Sequence, residues 1–124
     1  SEAPLEELRR VIRESGHHVA GEATDGQQAV ELFTALHPDV VVMDVIMPRM
    51  NGLDALREIR RIDPQATVVM ACSMRSCQTA LTSGERGAAY FLVKPFKKKE
   101  LQILFAKLTA QLEQKPQQAV AQLV

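Results

Sequence analysis

The sequence predicts an α/β domain built on a parallel sheet, and three observations carry this. Short apolar runs alternate with stretches of helical period along nearly the whole chain. The run from Val40 to Met43 is continuously apolar and mostly β-branched, the pattern of a strand buried on both faces. The chain has 124 residues, enough for one domain around one core.

Each element has its own signal. Pro4 to Gly16 reads as a helix, with Pro4 suited to the first turn, Gly16 to the C-cap, and Leu5, Leu8, Val11 and Ile12 on one face. His17 to Ala23 is a short strand that ends at the turn residues Asp25 and Gly26. Gln27 to Leu36 returns to helical period through Ala29, Val30, Phe33 and Leu36. It stops at His37, because a residue before proline avoids the helical region. Asp39 to Asp44 is the apolar strand. Gly52 to Arg61 is a helix, ended by Asp63-Pro64. Thr67 to Cys72 is a strand, and Ser76 to Ser83 a helix poor in strong formers. Ala88 to Val93 is a strand, and Lys97 to Gln114 a longer helix with Leu101, Leu104, Phe105, Leu108 and Leu112 on one face. The division expected is a domain over residues 1–114 and a tail over 115–124, KPQQAVAQLV.

Composition narrows the function classes. Apolar residues make up 46% and charged residues 24%, the mix of a globular domain. Lys and Arg balance Asp and Glu at 15 each, so no net field favours nucleic acid or an anionic membrane. No apolar run reaches the roughly 18 residues of a membrane helix, and the acidic start SEAPLEELRR reads as no signal peptide. Cys72 and Cys77 are too few and too close to read as a disulfide framework. Reduced thiols in a cytoplasmic setting are the expectation. No His stands near them, so they are a poor zinc signal. His17 and His18 are adjacent in a strand, point to opposite faces and do not share an ion. Lys97, Lys98 and Lys99 read as a solvated helix start, with no recognition-helix motif to suggest DNA binding.

The chemistry-bearing residues lie at strand ends. VVVMDVIMPRMNG, Val40 to Gly52, ends an apolar run on one acid, Asp44, then breaks into a loop at Pro48 and Gly52. LVKPF, Leu92 to Phe96, puts Lys94 at the end of another strand. In open α/β sheets, ligands sit at the carboxyl ends of strands. A carboxylate there can accept a phosphoryl group. Such a transfer needs positioning and charge neutralisation, which a lysine supplies.

These two motifs, with GEATDGQQAVEL and ALREIRRIDPQATVVM, resemble the receiver domain of bacterial two-component response regulators, especially the single-domain chemotaxis type. The resemblance spans about Pro4 to Leu112. It implies a flavodoxin-like three-layer sandwich, with Asp44 as phosphoacceptor, Lys94 as the family's lysine and Phe91 as its switch aromatic. It implies Mg2+ held by the Asp44 carboxylate and the Ile46 backbone carbonyl, and a cis peptide at Lys94-Pro95. It implies a histidine kinase as donor and a downstream output protein as partner. The activity expected is signalling, with at most weak autophosphorylation and autodephosphorylation, rather than metabolic catalysis.

The sequence departs from the family in three places. The family opens with a central strand ending in two adjacent acids that complete the metal site, and neither is present before the first helix. Glu2 is the nearest acid. Without that strand, two rows of buried backbone groups would be unpaired, each costing about 1–3 kcal/mol. Ala119 to Val124 is apolar enough to fill the slot, within its own chain or exchanged with a partner in a homodimer. It could equally extend the last helix, or the chain could be a fragment. At the end of the intervening strand, where the family has Ser or Thr, Cys72 stands with Ser73 next, and a thiol is a weak donor. At the last strand, Tyr90 precedes Phe91, and alternation predicts one packed and one exposed. The rival function is a pseudo-receiver, an interaction module that keeps the fold without being phosphorylated.

Overall fold

Helices and strands alternate in the expected order in the computed structural model, which describes residues 2–46, 50–82, 87–112 and 120–123, with side chains described for 5–46, 50–82 and 87–112. The elements are α1 (Glu2–Glu14), β1 (Val19–Ala23), α2 (Gly26–Leu36), β2 (Val40–Asp44), α3 (Gly52–Ile62), β3 (Thr67–Cys72), α4 (Met74–Thr82), β4 (Tyr90–Val93), α5 (Lys98–Leu112) and β5 (Val120–Leu123). The strands form one sheet in the order β1-β5-β2-β3-β4, with every neighbouring pair parallel.

The tail therefore supplies the strand between β1 and β2. Val120 pairs with Val19 on one side and Val40 on the other, and Leu123 pairs with Ala23 and Met43. The register along β1 slips once, between Val19 and Glu22. Residues 120–123 thus do not extend the last helix, because buried ladders on both sides claim their backbone groups. Ala119 and Val124, the ends of the expected strand, lie outside the described residues.

Strand alternation builds the two outer layers. Val40, Val42, Val69 and Leu92 face α1 and α5 and pack with Leu8, Val11, Ile12, Leu101, Phe105 and Leu108. Val41, Met43, Val68, Met70 and Cys72 face the other way, onto Phe33 of α2, Leu56 and Ile59 of α3 and Cys77 of α4. Arg60 of α3 locks the loops on that side: its Nε donates to the Gly87 carbonyl at 2.8 Å and its Nη1 to the Pro64 carbonyl at 3.1 Å. On the other side Arg9 grips Glu22 through bonds of 2.8 and 2.6 Å, and that guanidinium holds the Glu22 carboxyl below its ordinary range.

Three local expectations change. Helix α1 starts at Glu2, ahead of Pro4, since proline is tolerated anywhere in a first turn whose N–H groups have no partner. Helix α4 starts at Met74 rather than Ser76, because Ser73 caps it: Ser76 N donates to Ser73 Oγ at 3.2 Å and Cys77 N to the Ser73 carbonyl at 2.9 Å. The expected reduced cysteines are joined as a disulfide, Cys72–Cys77. The corner at Ser73 turns the chain back, so that both side chains point into the same core layer with Cα atoms 5.4 Å apart, inside the range a disulfide spans.

His17 is buried where α1, β1 and α5 meet. The Thr109 hydroxyl gives its proton to the Phe105 carbonyl at 2.6 Å, so it receives one from His17 Nε2 at 2.8 Å. That leaves Nδ1 as the unprotonated nitrogen, buried without a hydrogen-bond partner. Burial lowers the imidazole pKa below 6.5, with His18 adding to the effect and Asp39 opposing it.

Two predictions follow from this packing. Ala121→Pro removes a ladder hydrogen bond from the inner strand β5 and is expected to cost about 3 kcal/mol or more, read as a drop in urea midpoint. For His17, the folded pKa lies below the unfolded one, so the unfolded chain binds more protons between the two values and stability rises with pH across that window. Stability is therefore lost as pH falls through the unfolded value of 6.5 toward the lowered folded value. His17→Gln, which can still donate to Thr109, should flatten that part of the profile.

Candidate functional site

Strands β2, β3 and β4 deliver their C-terminal residues to one edge of the sheet. Register places Asp44 opposite Ala71, and Cys72 opposite Val93, one residue before Lys94. Backbone bonds extend the ladder past the strand ends: Val45 N donates to the Ala71 carbonyl at 2.9 Å, and Lys94 N to the Cys72 carbonyl at 2.8 Å. The Lys94 ammonium meets Asp44 Oδ2 in an ion pair. Asp44 Oδ1 accepts from the Ile46 amide at 3.0 Å. The carboxylate is mostly shielded, with its side chain 16% exposed, while that of Lys94 is 40% exposed.

Glycine makes room for this arrangement. A Cβ on Gly52 would overlap the Asp44 carbonyl oxygen, and one on Gly26 would overlap the Met50 carbonyl. The first contact lets α3 start against the end of β2, where Gly52 N donates to the Val45 carbonyl at 2.8 Å. The second lays the β1–α2 corner on the same loop. Pro48 belongs to residues 47–49, which lie outside the described residues.

The remaining site residues are not all brought together. Cys72 is buried and its sulfur is bonded to Cys77, so it has no proton to donate toward Asp44. Ser73 is exposed at the strand end, and its Oγ lies 2.9 Å from Ser76 Oγ. Phe91 packs partly buried on the α2–α4 face, and Tyr90 on the α1–α5 face. The Tyr90 hydroxyl accepts from Gln111 Nε2 at 3.2 Å. The expected contrast of one packed and one exposed ring is thus replaced by two half-buried rings on opposite faces. The Lys94-Pro95 peptide is cis, as the resemblance implied. Glu2 opens α1, and its side chain lies outside the described residues.

Two residues without an assigned role shape the site. Asn51 caps α3, accepting from Asp54 N at 2.9 Å. Asp25 caps α2, accepting from Gln28 N at 2.8 Å, while Gln28 Oε1 accepts from Thr24 N at 2.7 Å. The spacing of Asp25 and Gln28 is a capping-box signature that was readable in advance. Its capping role engages Asp25, although it stands on the reactive edge.

Magnesium takes oxygen ligands in a near-octahedral set. The described residues offer it one carboxylate, Asp44, and the Ile46 carbonyl, and no three His, Cys, Asp or Glu side chains among them cluster as a metal site. Both Asp44 oxygens already have partners. The donor set of the described residues does not fit a bound Mg2+.

The response regulator receiver domain model matches residues 1–106. The chain belongs to the response regulator receiver family. Receiver domains are the phosphoacceptor modules of two-component signalling. This receiver is 45% identical to the chemotaxis protein CheY of Thermotoga maritima over 89 residues, covering 72% of this chain and 74% of that protein. Its structure is similar to the receiver domain of AraT, a response regulator from Geobacillus stearothermophilus, with a TM-score of 0.82, 27% identity, and coverage of 94% and 92% of the two chains. It is also similar to the receiver domain of the sensor histidine kinase PA1611 from Pseudomonas aeruginosa, with a TM-score of 0.75, 25% identity, and coverage of 89% and 91%. That neighbour carries a magnesium ion coordinated in its active-site cleft.

The Gly52 contact is directly testable. Gly52→Ala forces the Asp44 backbone to shift and is expected to cost about 1–3 kcal/mol, measured by urea denaturation, with a changed Asp44 environment by NMR.

Proposed function

We propose that Asp44 accepts a phosphoryl group from a histidine kinase and that the domain switches its α4–β4–α5 surface toward a downstream output protein. The ion pair between Asp44 and Lys94 carries this reading. It places a nucleophilic carboxylate and a cation at one strand edge, where the cation can neutralise the three oxygens of an arriving phosphoryl group. Asp44 is the phosphoacceptor in this reading and Lys94 the charge neutraliser. Ser73, whose hydroxyl is exposed, takes the hydrogen-bonding role in place of Cys72. Phe91, half-buried next to the α4 face, is the aromatic that would change position.

The family setting adds the cytoplasm as location; Mg2+, which it also implies, finds no fitting donor set among the described residues. No helix among the described residues is long and apolar enough to cross a membrane. A domain over residues 1–114 with a strand-forming tail over 115–124 accords with β5 lying in the sheet. The same strand, donated to a second copy, would give a homodimer by exchange. No partner nucleic acid or membrane enters this reading, given the balanced charge.

One observation favours a second reading. Among the described residues no three His, Cys, Asp or Glu side chains gather to hold a metal, as expected of a pseudo-receiver, an interaction module that holds the fold without turnover. Incubation with a small phosphodonor, with and without Mg2+, separates the two. The expected result is a gain of one phosphoryl mass in the intact protein that Asp44→Asn lacks. A folded protein that gains no mass under either condition supports the pseudo-receiver.

A further inference from the structure

We propose that Cys72 and Cys77 form a reversible dithiol–disulfide pair that ties helix α4 to the reactive edge when oxidised and frees it when reduced. The inference rests on where the two residues sit and on how little else holds α4.

Helix α4 is weakly specified. Over its nine residues, Ser76, Cys77, Thr79 and Thr82 are poor helix formers. Only Cys77 and Ala80 are buried, while Met74 and Leu81 are 65% and 58% exposed. The apolar anchorage that fixes an ordinary surface helix is therefore confined to two small side chains, one of which is in the bond. Such a segment belongs to the low-stability end of a fold, and a covalent tie to β3 has a large effect on it.

The other end of the tie is in the site. Cys72 closes β3, and its carbonyl accepts from the Lys94 amide at 2.8 Å. Its neighbour Ala71 is the register partner of Asp44, and its other neighbour, Ser73, caps α4. The bond thus links α4 to the residue that seats the lysine backbone. A cavity of about 450 Å³ opens between α3 and α4 beside Asp44, with Ser76, Thr79 and Ala80 on one wall and Val45 and Ile46 on another. Freeing α4 moves one wall of that cavity relative to the other.

The chemistry balances with a small-molecule disulfide such as oxidised glutathione as oxidant. The Cys77 thiolate, the more accessible at 5% exposure against 1% for Cys72, attacks one glutathione sulfur and releases one glutathione thiolate. The Cys72 thiolate then attacks the Cys77 sulfur of the mixed disulfide and releases the second. Two protein thiols are oxidised, one glutathione disulfide is reduced to two thiols, and the two protein protons end on the departing glutathiones. Reduced glutathione runs the same steps backward. Because the bond closes a loop of only a few residues, it constrains the unfolded chain less than a long-range disulfide does, so its effect concentrates on α4.

The test uses the full chain equilibrated across glutathione buffers from fully reduced to fully oxidised, acid-quenched, alkylated and weighed intact. The expected result is one transition in which both alkylation sites disappear together. Hydrogen exchange in the two end states should show the amides of residues 76–82 at least tenfold slower when oxidised, with β2 and β3 unchanged. Cys77→Ala should show the fast α4 exchange at every buffer ratio, and Cys77→Ser serves if the alanine variant does not fold. Two thiols that stay alkylatable in every buffer would overturn the proposal. So would an internal disulfide that leaves α4 exchange unchanged, or one that forms only between chains. None of these readouts depends on whether Asp44 is phosphorylated.

Discussion

A parallel sheet buried on both faces cannot leave a strand out. Its inner strands have no water with which to satisfy unpaired N–H and C=O groups, so every interior ladder must be filled. In this chain the filling strand is β5, held between β1 and β2 from Val120 to Leu123. The rest of the architecture depends on that insertion. It sets the spacing between the Asp25–Gly26 corner and the end of β2, and so allows the loop at Met50 to rest on Gly26. It also keeps Val40 and Val42 in the layer formed with α1 and α5.

The reactive edge is assembled from separate parts of the chain by ladder register alone. Asp44 ends β2, Ser73 follows β3 and Lys94 follows β4, and no local motif brings them together. What each motif does locally is to clear space and fix the backbone. Gly52 admits α3 against the Asp44 carbonyl, and Asn51 caps the helix that starts there. The carboxylate is thereby presented from a rigid strand end, with a cation on one oxygen and an amide on the other. Such preorganisation is what the proposed phosphoryl transfer to Asp44 calls for.

Much of this was legible in the sequence, because the signals were periodic. The β-branched run at Val40, the proline-limited end at His37 and the helical stripe from Leu101 to Leu112 each name their element and its buried face. The strand-forming character of the tail was also legible, and its slot was one reading that the family resemblance suggested, beside a longer last helix or a fragment. The Cys72–Cys77 bond was not. Five residues of separation say nothing about the corner at Ser73, which reverses the chain and brings the two sulfurs into one layer. The partners of His17 were equally hidden, since Thr109 lies far along the chain and meets it only through helix packing. Long-range side-chain pairs of this kind leave no periodic trace.

The position of β5 also bears on how the molecule is made. It pairs with β1 across roughly a hundred residues of chain, a separation that slows folding because loop closure must precede the contacts that reward it. Of the ten elements among the described residues, β5 comes after all the others in chain order. Without β5, β1 and β2 would flank a groove of unpaired backbone, the kind of edge that invites stray strands. Closing the sheet therefore depends on a meeting between two segments that lie far apart along the chain, β1 and β5.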